Sequence, residues 1–221
     1  MEFGLTIMNP GEAGYVYILF QRLALTKHCT SVVWKTGMVP PKSSPPLIWT
    51  DALCVVLGTK ADGRITQGDL WSVTYHTRWS LHYGKESGED GYSLLQEPDP
   101  GTTIEDDVII ENRSGTKVIV GIGMDRIGAL YMEDILSNEN VIFKMAPTYY
   151  LGLLSPDQVV EIGRVVAESD QGGQGGEKGP LTPKDMLASC AVALTPHRTQ
   201  ALANVTVRPD GKPAISISYL A

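Results

Sequence analysis

The residues with the clearest potential for chemistry lie in the segment Trp71–Tyr83, WSVTYHTRWSLHY. A period of two separates an aromatic face from a polar face, as in a β-strand with one face in the core. The polar face carries His76 and Arg78, which would stand about 7 Å apart on an extended strand. An imidazole can act as general acid or base, and a guanidinium can stabilise developing negative charge. The segment therefore predicts either a small-molecule cleft with acid/base chemistry or the solvated face of a strand.

Asp51 is the most unusual carboxylate of the sequence. It interrupts an otherwise apolar face of the predicted strand Leu47–Leu57. Burial in that row would favour the protonated acid, which suits a group that moves a proton. A bulge, a register shift or a neighbouring arginine would instead make Asp51 an ordinary carboxylate. Both interpretations stay open at the level of sequence.

Aromatic side chains and turn residues would complete a pocket around these groups. In this hypothesis His76 or Asp51 moves the proton while Arg78 stabilises negative charge. The predicted substrate-binding residues are Trp49, Trp79, Tyr149, Tyr150, His82, Asp125 and Arg126.

Neither metal nor cofactor is predicted. His76 and His82 would lie about 20 Å apart on one strand, too far to share a metal ion. The three cysteines are widely spaced and form no CxxC pair. The glycines of the segment 121–128 do not fit a dinucleotide-binding motif, because the third glycine of GxGxxG would fall at Arg126 and no helix is expected after it. A tight hairpin or bulge with positive φ is the better interpretation.

Composition narrows the class of protein and of partner. The chain has 221 residues, of which 43% are hydrophobic and 19% charged, with a formal net charge of −7. These values are typical of a globular protein, and the scattered basic residues give no field for nucleic acid or an anionic membrane. No signal-like segment or long apolar run is apparent, and the odd number of cysteines fits a reducing compartment. We therefore expect a cytoplasmic protein with no nucleic-acid or membrane partner.

Short β-rich runs between Gly, Pro, Asn and Asp clusters predict an all-β fold. We expect a mainly antiparallel β-sandwich, or a partly open barrel, of about ten strands over residues 1–166. The run Tyr15–Gln21 is apolar on both faces, so it should be a central strand.

The C-terminal part has a different character. Residues 167–181 are rich in Gly and Gln, and they predict a flexible linker. In the extension 182–221, Thr182 would cap a short helix that has Pro183 at its first position and leads into Met186–Leu194. The turn Pro209–Lys212 then predicts a β-hairpin. Such a hairpin on a flexible tether could pair with a sheet edge of a second copy, giving a swapped homodimer.

The segment Val120–Met124, with Phe143 and the stretch Pro147–Tyr150 after an Asn-containing turn, resembles the RhiA-like family of rhizosphere-expressed proteins. The resemblance covers roughly residues 3–166. Upstream, it continues through Asn9, the Tyr-rich second strand, Val33–Trp34 and Ile48–Trp49. It implies a β-sandwich, and it brings no catalytic residues with it, so the fold gains support while the function stays open.

Two functions from different classes follow. The first is binding of a small organic molecule in a β-sandwich cleft, with a cofactor-independent acid/base step such as isomerisation, cyclisation or dehydration. The alternative is a non-catalytic module that is lectin-like or binds proteins. A deep pocket would favour the first, and an exposed tryptophan on a flat face would favour the second.

Overall fold

The computed structural model describes residues 1–23, 29–86, 89–98, 107–144, 147–168 and 179–220. Over these residues the chain forms 18 strands and one short 3₁₀ turn, with no α-helix. The first nine strands are β1 (Glu2–Met8), β2 (Tyr15–Leu23), β3 (Cys29–Val32), β4 (Lys35–Val39), β5 (Pro46–Thr50), β6 (Leu53–Ala61), β7 (Arg64–Ser72), β8 (Thr77–Glu86) and β9 (Glu89–Glu97). The others are β10 (Asp107–Asn112), β11 (Val118–Met124), β12 (Ile127–Ile135), β13 (Asn140–Lys144), β14 (Pro147–Leu154), β15 (Val165–Val166), β16 (Ala188–Val192), β17 (Gln200–Val207) and β18 (Pro213–Tyr219).

The strands form four sheets. The terminal sheet has the order β18-β17-β1-β5, and the β8–β10 sheet has the order β13-β10-β8-β9. The six-stranded sheet runs β15-β3-β12-β11-β6-β7, and the β2 sheet runs β16-β14-β2-β4. The β1–β17 and β10–β8 ladders are parallel, whereas the other strand ladders of the described residues are antiparallel. The predicted all-β, mostly antiparallel class is confirmed, with more strands than expected.

One large hydrophobic core receives side chains from all four sheets. Strand β2 is buried along nearly its whole length and lies between β14 and β4, so its prediction as a central strand is confirmed. A second cluster, which includes Ile18 and Phe20, covers the other face of β2. The double burial explains why this segment is apolar at almost every position.

Two predicted long strands are each broken at a corner between sheets. Strand β5 ends at Thr50 and β6 begins at Leu53, so Leu47–Leu57 is not one strand. Strand β7 likewise ends at Ser72 and β8 begins at Thr77. In both cases the first and second halves belong to different sheets. The two-residue alternation continues in the sequence on both sides of each corner, which is why the prediction of one strand was wrong.

The predicted helix start at Thr182 and Pro183 forms only a 3₁₀ turn, Pro183–Asp185, and the predicted continuation of the helix into Met186–Leu194 is wrong. The Asp185 carboxylate accepts hydrogen bonds from the Thr182 backbone N–H and hydroxyl at 2.7 and 2.8 Å, but the helical turn stops at Asp185. Residues Ala188–Val192 instead form β16, which pairs antiparallel with the edge of β14. The open hydrogen-bonding edge of β14 therefore overrides the local helix signal.

The predicted C-terminal hairpin forms, as β17 and β18. Strand β17 pairs in parallel with β1 of the same chain. Most of the predicted linker, residues 169–178, lies outside the described residues. At its C-terminal end Leu181 is buried and pairs with Val166. Among the residues that the structure describes, no helical segment has the length and apolar character needed to cross a lipid bilayer.

Candidate ligand-binding site

His76 and Arg78 do not stand side by side on one strand. His76 lies in the β7–β8 connection, is exposed, and has a left-handed backbone with φ 60°. Its backbone N–H donates to the carbonyl oxygen of Asp107 at 3.0 Å. Arg78 lies within β8, and its guanidinium is paired with the Glu111 carboxylate at 3.2 Å. The geometric premise of the predicted acid/base pair is therefore wrong.

Side chains on the polar face of β8 take part in a network of ion pairs. Glu111 accepts hydrogen bonds from both Arg78 and Arg113, at 3.2 and 2.8 Å, and Arg113 also bonds Glu97 at 3.1 Å. The hydrogen bond from Arg113, and then the one from Arg78, hold the pKa of Glu111 below its usual value. The guanidinium of Arg78 is thus already engaged by a carboxylate of its own sheet.

Ser80 connects this network to His82. Ser80 is fully buried, and its hydroxyl donates to the Glu97 carboxylate at 2.6 Å. A serine hydroxyl has one proton, so the contact of 2.9 Å between His82 Nε2 and Ser80 Oγ requires the imidazole to donate. His82 therefore takes part in the internal hydrogen bonding of this sheet, and its contact with a ligand stays a prediction.

Asp51 does not sit within an apolar row. The chain leaves β5 at Thr50, and Asp51 lies in the corner before β6 with its side chain 32% exposed. Its carboxylate forms an ion pair with the amino group of Met1. The expectation that Asp51 lies in a buried apolar row is wrong, because the strand break turns Asp51 out of the core.

Trp49 and Tyr149 belong to the core rather than to the wall of a pocket. Their rings lie 5.2 Å apart, and they pack with Phe3 and Trp34. Both side chains are almost completely buried, and burial raises the pKa of Tyr149 to about 12. Because these side chains are almost inaccessible to solvent, the structure does not support their predicted role in binding a substrate.

Tyr150 and Trp79 also lie apart from the predicted pocket. Tyr150 points to the opposite face of β14 from Tyr149, where it stacks on Phe20 at 5.3 Å. The guanidinium of Arg22 lies 5.0 Å from the centre of the Tyr150 ring. Trp79 packs against the main core and donates its Nε1–H to Thr77 at 2.7 Å. The two neighbouring tyrosines therefore cannot wall one pocket.

Asp125 and Arg126 form the two-residue turn between β11 and β12, with φ of 54° and 63°. The prediction of a tight hairpin with positive φ is confirmed, although the positive angles fall on these two residues. The Asp125 carboxylate accepts two hydrogen bonds from Thr50, at 2.9 and 2.7 Å, and pairs with Lys35 at 3.2 Å. Burial raises the pKa of Asp125, but the bonds from Thr50 and Lys35 outweigh it and leave that pKa below its ordinary value. Asp125 thus fixes the hairpin to β5 and β4, while Arg126 is exposed.

A cavity that sequence reasoning missed lies elsewhere, between the six-stranded sheet and β9. Its volume is about 390 Å³. It is lined by Leu57, Gly58, Thr59, Lys60, Gly68, Asp69, Tyr92, Lys117, Val118, Ile119 and Asp134. The lining combines an apolar base, one aromatic ring and four charged side chains.

A β-bulge contributes one wall of this cavity. In the β6–β7 ladder Val56 pairs with Leu70 and Gly58 pairs with Gln67, so the register shifts between them. The residues displaced by the shift are Gly68 and Asp69, and both line the cavity.

A second irregularity lies on the other side of β6. In the β11–β12 ladder Val118 pairs with Ile135 and Val120 with Met132. Asp134 lies between these two pairs on β12 and has no partner in the described ladder. It has φ 60° and also lines the cavity. Bulges interrupt regular pairing and redirect side chains, and they are frequent beside binding sites. Both bulges lie in hairpins of consecutive strands, and the alternation of residue types in the sequence does not show where the register shifts.

Both lysines of the cavity have ion-pair partners, whereas one of its carboxylates has none among the described residues. Lys60 bonds the Glu133 carboxylate at 2.8 and 2.7 Å, and Lys117 pairs with Asp134 at 2.8 Å. The hydrogen bond from Lys117, with its positive charge, lowers the pKa of Asp134. Asp69 is exposed and has no side-chain partner within the described part of the chain. The geometry is suited to holding a small molecule that has both an apolar body and a charged group.

Across the described ranges, no three His, Cys, Asp or Glu side chains cluster closely enough to hold a metal ion. Comparison with known proteins gives one result, a match of residues 2–173 to the family model described as RhiA. No curated protein and no solved structure matches the chain.

Proposed function

The chain belongs to the RhiA family, whose model spans every residue of the cavity, and we propose that this cavity binds a small organic molecule. The observation that carries the proposal is a volume of about 390 Å³ bordered by two irregular strand pairs. Ligand pockets usually have volumes of about 300–1,000 Å³ and combine apolar walls with a few polar groups. In this proposal the sheets pack as the predicted β-sandwich, and the cavity is the cleft where β9 faces the six-stranded sheet.

The alternative of a lectin-like surface has less support. Sugar rings stack on exposed aromatic side chains, and tryptophan is the usual partner. All four tryptophans are described, and none is exposed: Trp34 and Trp49 are buried, and Trp71 and Trp79 are half-buried against the main core. A concave site is therefore the better proposal than a flat sugar-binding face.

The predicted acid/base step on the bound molecule is a narrower proposal. His76, Arg78 and Asp51 are absent from the lining of the cavity. An acid/base step at this site would have to use its own groups, such as Lys117 and Asp134, which neutralise each other at 2.8 Å. Binding without catalysis is the function that the geometry supports best.

Three probes that share a phenyl ring and differ in charge would test the proposal: phenethylamine, phenethyl alcohol and hydrocinnamate. We expect at least one to bind with a dissociation constant of about 1 mM, as for other fragments of this size. Nuclear magnetic resonance of the ¹⁵N-labelled full chain should then show shifts at the backbone amides of Leu57, Val118 and Ile119.

A cavity-filling variant makes the test specific. Thr59 lines the cavity and lies on the same face of β6 as Leu57, so Thr59→Trp should fill the space and abolish binding. Thr206 is an exposed strand threonine in the terminal sheet, and Thr206→Trp should leave binding unchanged. If none of the three probes shifts the cavity amides, or if binding survives Thr59→Trp in a folded protein, the proposal is wrong.

A further inference from the structure

We infer that the ligand of this cavity is an organic cation, a primary amine with an apolar body. This inference rests on the proposed function and adds to it the chemical class of the ligand. It is carried by a cavity whose lining includes one carboxylate without a partner among the described residues, one aromatic residue and several apolar residues.

The balance of charge at the site favours a cation. The lining contains two ammonium groups, Lys60 and Lys117, and two carboxylates, Asp69 and Asp134; Glu133 is outside the lining and pairs with Lys60. Each lysine is already held by a carboxylate at 2.7 or 2.8 Å. One negative charge is therefore in excess, and an incoming anion would have to compete with existing ion pairs for either lysine.

The excess charge is that of Asp69. The register shift of the β6–β7 ladder releases Asp69 from regular pairing, and Asp69 is one of the residues that line the cavity. Asp69 has no ion-pair or hydrogen-bond partner among the described residues. A carboxylate in this position can accept hydrogen bonds from an ammonium group without first breaking another contact.

The remaining lining suits the body of such a molecule. Tyr92 contributes a ring that lies 4.9 Å from Tyr83, and its hydroxyl is 3.3 Å from the hydroxyl of Thr116. An aromatic face attracts a cation through its quadrupole, and it also packs against a hydrocarbon chain or a second ring. Leu57 and Val118, which both belong to the main core, supply the apolar side chains of the lining.

The net charge of the whole protein also favours binding of a cation. The formal net charge is −7, so the field around the protein concentrates cations and repels anions. The long-range attraction of cations comes from the charges of the whole chain, whereas the attraction to Asp69 acts only at the cavity. The two contributions can therefore be separated by changing one aspartate at a time.

The test compares the same three probes on Asp69→Asn and on a matched control, Asp62→Asn. Both aspartates are exposed and lie in the β6–β7 hairpin, but Asp62 is in its turn and does not line the cavity. Asparagine tolerates the left-handed backbone of Asp62, which has φ 48°. Each variant removes one negative charge, so the long-range field changes equally in the two.

We expect phenethylamine to bind the unmodified protein about fivefold tighter than phenethyl alcohol or hydrocinnamate, as for an exposed ion pair. Asp69→Asn should weaken amine binding about three- to fivefold and leave alcohol binding unchanged, while Asp62→Asn should alter neither. Equal or tighter binding of the alcohol or the acid would overturn the inference, and so would an amine affinity that is insensitive to Asp69→Asn. Either result would leave the proposed function standing if the cavity amides still shift, whereas a lack of shifts with all three probes would remove both.

Discussion

Three glycines on neighbouring strands of the six-stranded sheet make room for Tyr131. A β-carbon added at Gly121 would lie 2.5 Å from the Tyr131 ring, and additions at Gly58 and Gly128 would also collide with it. Tyr131 is 1% exposed, and burial raises the pKa of its hydroxyl. The glycines of this region are therefore required by the close approach of one aromatic ring.

Gly121→Ala should lower the free energy of unfolding by about 1–3 kcal/mol, because the added methyl group overpacks the space beside the ring. Gly91→Ala is the matched control, since a β-carbon there would meet nothing within 4 Å. Urea unfolding followed by circular dichroism would measure both. Equal stability of the two variants would contradict the packing argument.

A second prediction at the residue scale concerns Asp125 and pH. Its pKa is lowered in the folded state, so the folded protein favours the ionised carboxylate. This contribution to stability is complete above the pKa of the unfolded state, about 3.9, and is lost as pH falls through the lower folded value. Asp125→Asn should therefore be less stable than the unmodified protein at pH 7, and the difference should shrink below about pH 4.

Urea unfolding at pH 7 and at several values below pH 4 would measure this difference. Asp62→Asn again serves as the control, because it makes the same change of charge at an exposed turn. A stability difference between Asp125→Asn and the unmodified protein that stays constant with pH would mean that the carboxylate has no ionisation-linked role in holding the hairpin.

At the scale of elements, the corners between sheets decide where side chains point. His76 is the sharpest example, because its φ of 60° is unfavourable for any residue with a β-carbon. We expect His76→Gly to be more stable than His76→Ala by about 1 kcal/mol, since both lack the imidazole and the strain of an alanine β-carbon at this φ outweighs the larger unfolded-state entropy of glycine.

The same pair of substitutions at Thr66, an exposed position within β7, should give the opposite order, because glycine weakens a regular strand. Thermal unfolding of the four variants would measure the comparison. If alanine is at least as stable as glycine at position 76, the left-handed corner is not a feature of the folded protein in solution.

Features of the fold that arise from local residue patterns could be predicted from the sequence, whereas features that arise from strand pairing could not. The double burial of Tyr15–Gln21 and the hairpin at Pro209–Lys212 are local in origin, and both were predicted. The break before His76 is not local, because alternation keeps its phase across the corner and only sheet pairing shows the interruption. The candidate site was missed for a different reason: a register shift within the β6–β7 hairpin brings Asp69 to the cavity, and residue alternation does not mark that shift.

At the scale of the whole molecule, the C-terminal hairpin completes a sheet that begins at the N-terminus. Strand β17 pairs with β1, and its side chains Ala201, Ala203 and Val205 lie in the main core. The match to the RhiA family ends at residue 173, so β16, β17 and β18 lie outside it while contributing to the same core.

A truncated chain of residues 1–180 should therefore lose its cooperative thermal transition, because it exposes the buried face of β1 and an unpaired edge of β14. Adding a separate peptide of residues 181–220 should restore the transition by supplying the missing strands. Circular dichroism would follow both. A truncated chain that melts as sharply and at the same temperature as the full chain would show that residues 1–180 fold without the extension.

The predicted swapped homodimer would use the same contacts between two chains. The exchanged unit would comprise residues 181–220, because Leu181 already pairs with Val166. This pairing and the β14–β16 and β1–β17 ladders would all reform with the partner. No contact is gained by the exchange, so the fraction of dimer should depend on the protein concentration during refolding. Light scattering after refolding at low and at high concentration should show the 24.0 kDa chain in the first case and twice that mass in the second. A single mass of 24.0 kDa under both conditions would mean that the hairpin always returns to its own β1.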